Sequence, residues 1–233
     1  GGLARVVLNH PGVMQLSVDR NLRPTWEWLR RELSLSEAEA ARVIRGYPGL
    51  MALRMEPTVW RKLEYFLSLG LTPQELKRMV LQEPLSLSRS MESLQTIVTF
   101  LSEQALVRPD RVPSVLVACP ALLSCSVERL GEGIRFLRQD MGMADAQISS
   151  VVESFPRLLT YKTLANLQPK VEYLQEEGFP LCDIREEVVQ RPLVLAYSLK
   201  KRFMPRFVHL KKCDITVRVG VRAAPRGAGR PAA

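Results

Sequence analysis

Apolar positions along this chain recur on two scales. Locally they fall at helical spacing: Trp60, Leu63, Phe66 and Leu67 form one stripe, and Leu76, Met79 and Val80 form another. That spacing predicts helices with one buried face each. Over longer range the pattern repeats. Pro11, Pro48, Pro84, Pro120, Pro156 and Pro192 are spaced by 37, 36, 36, 36 and 36 residues. The residue three after each is Leu or Met: Met14, Met51, Leu87, Leu123, Leu159 and Leu195. Apolar clusters follow about 15 to 18 residues on: Trp26-Glu-Trp28-Leu29, Tyr65-Phe66-Leu67, Phe100-Leu101, Phe136-Leu137, Val171-Glu-Tyr173-Leu174 and Phe207-Val208.

Each unit reads as two helices. In the unit opened by Pro48, Gly70 ends the first helix and Thr72-Pro73-Gln74-Glu75 starts the second with a capping box. Ser36-Glu-Ala-Glu39 is the same box one unit earlier, and Gly142 and Gly178 mark later first-helix ends. Pro84 stops the second helix. The unit opened by Pro84 departs, because Arg108-Pro109-Asp110-Arg111-Val112-Pro113 shortens its second helix. The run after each proline is expected to be a single turn plugging the gap between units, with Leu123, Leu159 and Leu195 in the core. Trp26, Trp28, Trp60, Tyr65 and Tyr173 are read as core too. Two short helices cannot bury their own apolar face, so the units must stack into an all-α solenoid.

The expected organisation is a remnant of a preceding unit over 1–10, repeats over 11–212, and a disordered Gly/Ala/Pro/Arg tail over 213–233. Thr216-Val-Arg-Val-Gly-Val-Arg222 alternates like a strand but stands alone, and is read as irregular. No run reaches the roughly 18 apolar residues of a membrane span. Two histidines and four cysteines without a C-x-x-C pair leave no metal site to expect. No paired carboxylates, nucleophile–base pair or phosphate-binding loop stands out, so no enzyme activity and no cofactor are expected.

Charge changes the picture at one end. The chain carries +9, and residues 200–233 alone hold ten basic residues and one acid, while residues 1–199 hold 23 of each sign. A polyanion would be drawn to the C-terminal part.

The proline-led motif has a likeness. Pro192-Leu-Val-Leu-Ala-Tyr197-Ser198, followed by Leu-Lys-Lys-Arg202-Phe-Met-Pro205-Arg206, resembles the repeat of the mitochondrial transcription termination factor (mTERF) family. Pro156-Arg-Leu-Leu-Thr-Tyr161 with Leu167-Gln-Pro169-Lys170 matches as well, and Pro120-Ala-Leu-Leu-Ser124 matches over its first half. The first three units keep the proline and apolar positions but lack the Tyr-Ser pair. The resemblance covers about residues 4–212 and lapses beyond Cys213. It implies a right-handed superhelix of about 36-residue two-helix repeats with a basic concave groove, in an organellar nucleic-acid-binding protein without catalysis of its own. It favours the chloroplast over the mitochondrion, since the family is especially large in plants and algae.

Basic residues recur 13 to 15 positions after the prolines: Arg61, Lys62, Arg135, Lys170 and Arg206. This slot is read as opening the first long helix or lying early in it, where backbone N–H groups and a cation could hold phosphate. A second set lies in the second helices: Arg42, Arg45, Lys77, Arg78 and Arg185. Lys200, Lys201, Arg202 and Arg206 put four cations within seven residues. The expected contacts are Lys62, Arg135, Lys170, Lys200, Lys201, Arg202 and Arg206. The acids Glu176, Glu177, Asp183, Glu186 and Glu187 would face away or towards a protein partner. The expected ligand is double-stranded nucleic acid, DNA ahead of RNA, bound by a monomer. Structured-RNA binding in rRNA maturation or splicing, and a protein scaffold recruiting an enzyme, are the alternatives.

Overall fold

In the computed structural model, which describes residues 6–8 and 10–213, each anchoring proline opens one tight turn. The turns are Pro11–Gln15, Pro48–Ala52, Pro84–Ser88, Pro120–Ser124, Pro156–Thr160 and Pro192–Ala196. Proline's fixed φ suits a first helical position, where a missing N–H leaves nothing unpaired. The residue before each proline is pushed out of the α region. Tyr47, Glu83, Cys119, Phe155 and Arg191 accordingly have φ from −137° to −144°, and the preceding helix ends there.

Two helices fill the rest of a repeat. The first helices contain α1 (Arg23–Glu32), α3 (Trp60–Ser68), α5 (Met91–Glu103), α7 (Val127–Arg135), α9 (Gln168–Glu176) and α11 (Met204–Lys212). The second helices are α2 (Glu37–Gly46), α4 (Pro73–Gln82), α6 (Val112–Ala118), α8 (Asp145–Ser154) and α10 (Leu181–Gln190). The expected all-α repeat is what forms, with no strand among the described residues. No described helix is long and apolar enough to cross a membrane. α6 has seven residues where the other second helices have ten, as the Arg108–Pro113 interruption predicts.

The first helices start earlier than the Leu-x-Pro motif suggested. They begin seven residues after the anchoring proline, behind Ser17, Ser90, Ser126 and Ser198, whose hydroxyls accept from backbone N–H groups three residues on. Where a proline sits inside the helix, at Pro24, Pro169 and Pro205, the helix opens with a widened turn: Val18–Leu22, Thr163–Leu167 and Leu199–Phe203. A proline cannot donate to the carbonyl four back and its ring crowds that carbonyl, and the widened turn removes the conflict.

A left-handed residue joins the two helices of five repeats. Ser34, Gly70, Leu106, Gly142 and Gly178 lie 36 residues apart with φ of 48°, 99°, 58°, 61° and 93°. The glycines at three of these are the first-helix ends that the sequence marks. The Ser34 carbonyl accepts from Lys77 Nζ at 2.9 Å and the Leu106 carbonyl from Ser149 Oγ at 2.7 Å, both 43 residues on.

The chain divides into two compact units, Gly1–Lys162 and Thr163–Ala233. In the first, turns stack on turns and second helices on second helices, α2 on α4 on α6. Leu87, Leu123 and Leu159, three residues past their prolines, are fully buried there. Gly133 lets the Pro156 turn approach α7: a Cβ would lie 3.0 Å from Leu159 Cδ2. In the second unit α9 packs on α10, and Phe207 stacks at 6.4 Å on Phe203 and edge-on at 5.7 Å to Tyr173. Leu195 is fully buried there. Trp28 is in the core, whereas Trp60 is on the surface, its indole N–H donating to Glu64 at 2.6 Å. Within residues 1–10, residues 6–8 are helical. The tail from 214 onward, including Thr216–Arg222, lies outside the described residues.

Candidate nucleic-acid interface

Aligning the repeats on their prolines shows how the helix starts differ in charge. Eight residues after the proline stand Asp19, Glu56, Glu92, Glu128, Leu164 and Lys200. A carboxylate in the first turn complements the positive end of the helix dipole. Four repeats follow that rule, and the last reverses it. Its first turn holds Lys200, Lys201 and Arg202 and no acid. Each cation there opposes the dipole and costs about 0.3–1 kcal/mol at low ionic strength. The cluster therefore contributes nothing to holding the helix together.

The geometry leaves these cations open to an anion. Ser198 Oγ caps the turn, accepting from Lys201 N at 3.2 Å. The Arg202 guanidinium lies over the Tyr197 ring at 4.9 Å, a cation–π contact that holds it in place while its edge stays exposed. Arg206 follows one helical turn on and is also exposed. No ion pair involves Lys200, Lys201, Arg202 or Arg206 among the described residues. Nearby Lys211 differs, being paired with Glu177 at 2.7 Å, and that ammonium holds the Glu177 carboxyl below its usual range.

Lys62 and Lys170 are placed elsewhere. Because the first helix starts at the seventh residue, the fourteenth lies past its opening, on the inward face. Both lysines are 4% exposed. Lys62 Nζ donates to the Leu87 carbonyl at 2.6 Å, and Lys170 Nζ donates to the Leu195 carbonyl at 2.5 Å and to Asn166 Oδ1 at 2.5 Å. Burial pulls both ammonium pKa values down. These carbonyls belong to the turn of the following repeat, 25 residues on. Two arginines that the sequence reading passed over make the equivalent link at the junctions between: Arg89 donates to the Ser124 carbonyl, and Arg129 to the Thr160 carbonyl at 2.7 Å. A cation from one repeat thus ties down the end of the next repeat's turn at four successive junctions. The signal was present in the register, since the fourteenth position is also Thr25 and Ile134, both buried.

Arg135 is exposed at the end of α7, as are Arg61, Arg42, Arg45 and Arg78. Lys77 is held between the Ser34 carbonyl and Glu39, at 2.9 Å from each. Arg185 is half-buried.

The family model described as mTERF matches residues 2–106 and 81–222, which together span the repeats. No curated protein matches the chain. With the proline-led register, the helix pairs and the family match in agreement, the chain belongs to the mTERF family of nucleic-acid-binding regulators of organellar gene expression.

Proposed function

We propose that this chain binds double-stranded DNA in an organelle and acts there in transcription termination or regulation, with Lys200, Lys201, Arg202 and Arg206 on the phosphates and Arg135 as a further contact. The chloroplast is the preferred compartment, on the family resemblance alone. Lys62 and Lys170 drop out of the contact set, because their ammonium groups are buried and bonded to carbonyls. The supporting observation is the reversed first turn: three exposed cations stand where four other repeats carry an acid. A fold gains nothing from that arrangement, and a polyanion does. Phosphate contacts set position and supply affinity without reading bases.

The test is binding measured side by side on duplex DNA, duplex RNA and single strands of one sequence, in one buffer. Tightest binding to duplex DNA is expected. Tighter binding to duplex RNA would move the reading to rRNA maturation or splicing. No binding to any of them at low salt would defeat it and leave the scaffold reading.

A further inference from the structure

Twelve residues after the anchoring proline, the first helix faces outward in repeat after repeat. Arg23, Thr96, Glu132 and Met204 are exposed there, and Gln168 is half-buried. In the repeat opened by Pro48 this position holds Trp60, 37% exposed. The core does not use the position, so the fold gives no reason for an indole there. Exposure alone says little, because single apolar side chains are common on protein surfaces. What surrounds the ring says more. Glu32, Glu56 and Pro57 join Trp60 in lining a cleft of about 360 Å³. The ring is held in place, since its N–H donates to Glu64, one helical turn on, at 2.6 Å. Glu32 comes from the end of α1 and Glu56 from the turn that leads into α3. Two carboxylates from successive repeats thus stand beside one aromatic ring.

That combination suits a cation, and a guanidinium best. An aromatic face attracts a cation, Trp most strongly. A carboxylate takes a guanidinium through two parallel N–H bonds, and a planar guanidinium also stacks on a ring, which an ammonium cannot do. The neighbourhood already shows this chemistry. Arg31 Nε donates to Glu32 at 2.6 Å, and Arg31 Nη2 lies 3.9 Å from Glu56 Oε1. Each carboxylate keeps acceptor sites beyond those contacts. With Glu64, three carboxylates meet one guanidinium, an excess of two negative charges on a chain that carries +9. Phosphate is repelled from such a place, so it is not one more nucleic-acid contact.

We propose that this cleft receives an arginine side chain of a protein partner, its guanidinium stacked on Trp60 and paired with Glu56 and Glu32. The inference goes beyond the DNA reading and does not depend on it. It gives the repeats a protein-docking point made of residues that the proposed phosphate contacts do not use. One ring and two carboxylates that Arg31 already shares make a weak anchor, so the cleft acts as one contact within a larger interface.

The test uses the full chain and three blocked tripeptides: Gly-Arg-Gly, Gly-Lys-Gly and Gly-citrulline-Gly. Citrulline keeps the shape of arginine and loses its charge. Binding is followed by NMR at the indole N–H resonances of the three tryptophans, with Trp60 assigned from Trp60→Phe. A saturable shift of the Trp60 resonance is expected with the arginine peptide at millimolar concentrations, with Trp26 and Trp28 unmoved. The lysine peptide should bind less tightly and the citrulline peptide not at all. Glu56→Gln should weaken binding about two- to fivefold, as the loss of one exposed ion pair does. Arg31→Gln should tighten it, because both carboxylates are released. Opposite effects from two exposed substitutions do not come from misfolding. Duplex DNA should leave the Trp60 resonance in place. The proposal is overturned if the citrulline or lysine peptide binds as well as the arginine peptide, or if the two substitutions move affinity the same way. Equal shifts at all three indoles, or none up to tens of millimolar peptide, also overturn it. So does a Trp60 shift produced by DNA alone, which would give this face to nucleic acid.

Discussion

A lysine inside a protein has given up its water shell, and only a well-placed acceptor offsets that loss. Lys62 and Lys170 each have a turn carbonyl, and the carbonyl has them. Lys62→Met keeps most of the packing volume but leaves the Leu87 carbonyl unpaired in the core. An unsatisfied buried acceptor costs about 1–3 kcal/mol, so thermal unfolding should show a loss in that range, while affinity for duplex DNA well below the melting temperature stays unchanged. A fall in affinity with unchanged stability would return Lys62 to the binding surface. Basic residues could be counted from the sequence, but which way a lysine faces depends on where its helix begins, and the Leu-x-Pro motif pointed to a start several residues too late. Another residue-scale expectation comes from the left-handed positions. Ser34 has φ of 48° and is exposed, and its carbonyl bond to Lys77 is a backbone bond that survives substitution. A left-handed residue with a Cβ costs about 1–2 kcal/mol, partly offset by glycine's larger unfolded-state entropy. Ser34→Gly should therefore stabilise by about 0.5–1 kcal/mol in denaturant titration.

At the scale of the helix, the anchoring prolines and capping boxes were readable because each acts through backbone chemistry local to a few residues. The serine caps six residues after the anchoring prolines were equally local, and lining up Ser17, Ser90, Ser126 and Ser198 would have found the true helix starts. Packing between repeats is not local, so nothing in the sequence separates Gly131 from Gly133. The two glycines of α7 now give opposite expectations. A Cβ on Gly131 would meet Phe100 at an ordinary 3.9 Å, so Gly131→Ala should gain about 1 kcal/mol of helix propensity. A Cβ on Gly133 would lie 3.0 Å from Leu159 Cδ2 and 3.5 Å from Leu159 Cα, where the turn backbone cannot easily give way. Gly133→Ala should show none of that gain, and Gly133→Val should lose about 1–3 kcal/mol through overpacking. Equal melting shifts for the two alanine variants would mean that the Pro156 turn does not sit tightly on α7. The start of α2 supplies a pH signature. The Ser36 backbone N–H, and then Lys77, hold the Glu39 carboxyl down at about 2 from its ordinary 4.5. A depressed carboxyl contributes stability that is present above the unfolded pKa and lost as pH falls through the folded one. The melting difference between the unsubstituted chain and Glu39→Gln should thus be full at pH 6 and shrink between pH 4.5 and 2. A difference that stays constant over that range would remove the charge from the argument.

On the scale of the whole molecule, residues 1–199 carry zero net charge and residues 200–233 carry the whole of the +9. That was legible by counting, and so was the repeat, because a period of 36 is a property of the sequence itself. What counting could not give is which cations are already spoken for. Lys77, Arg108, Arg111, Arg138 and Lys211 sit in ion pairs, and Lys62, Arg89, Arg129 and Lys170 tie junction carbonyls. Lys200, Lys201, Arg202 and Arg206 are left facing solvent, three of them against a helix dipole. Replacing all four by Glu should therefore move stability and binding in opposite directions. Acids in the first turn favour the dipole, and each exchanged charge is worth about 0.3–1 kcal/mol at low salt, so the melting temperature should hold or rise. Affinity for duplex DNA should fall at every sequence tested, because phosphate contacts carry no base information. The log–log dependence on salt should flatten by about 3–4, which is the counterion release of four neutralised phosphates at about 0.9 each. A variant that binds poorly because it is misfolded would lose its melting temperature as well, so the paired measurement separates the two causes. Deleting residues 214–233 instead should lower affinity modestly and leave any sequence preference in place. If that deletion abolishes binding and the fourfold reversal leaves it intact, the phosphate contact belongs to the arginines of residues 218–230, and the repeats are the platform that carries them.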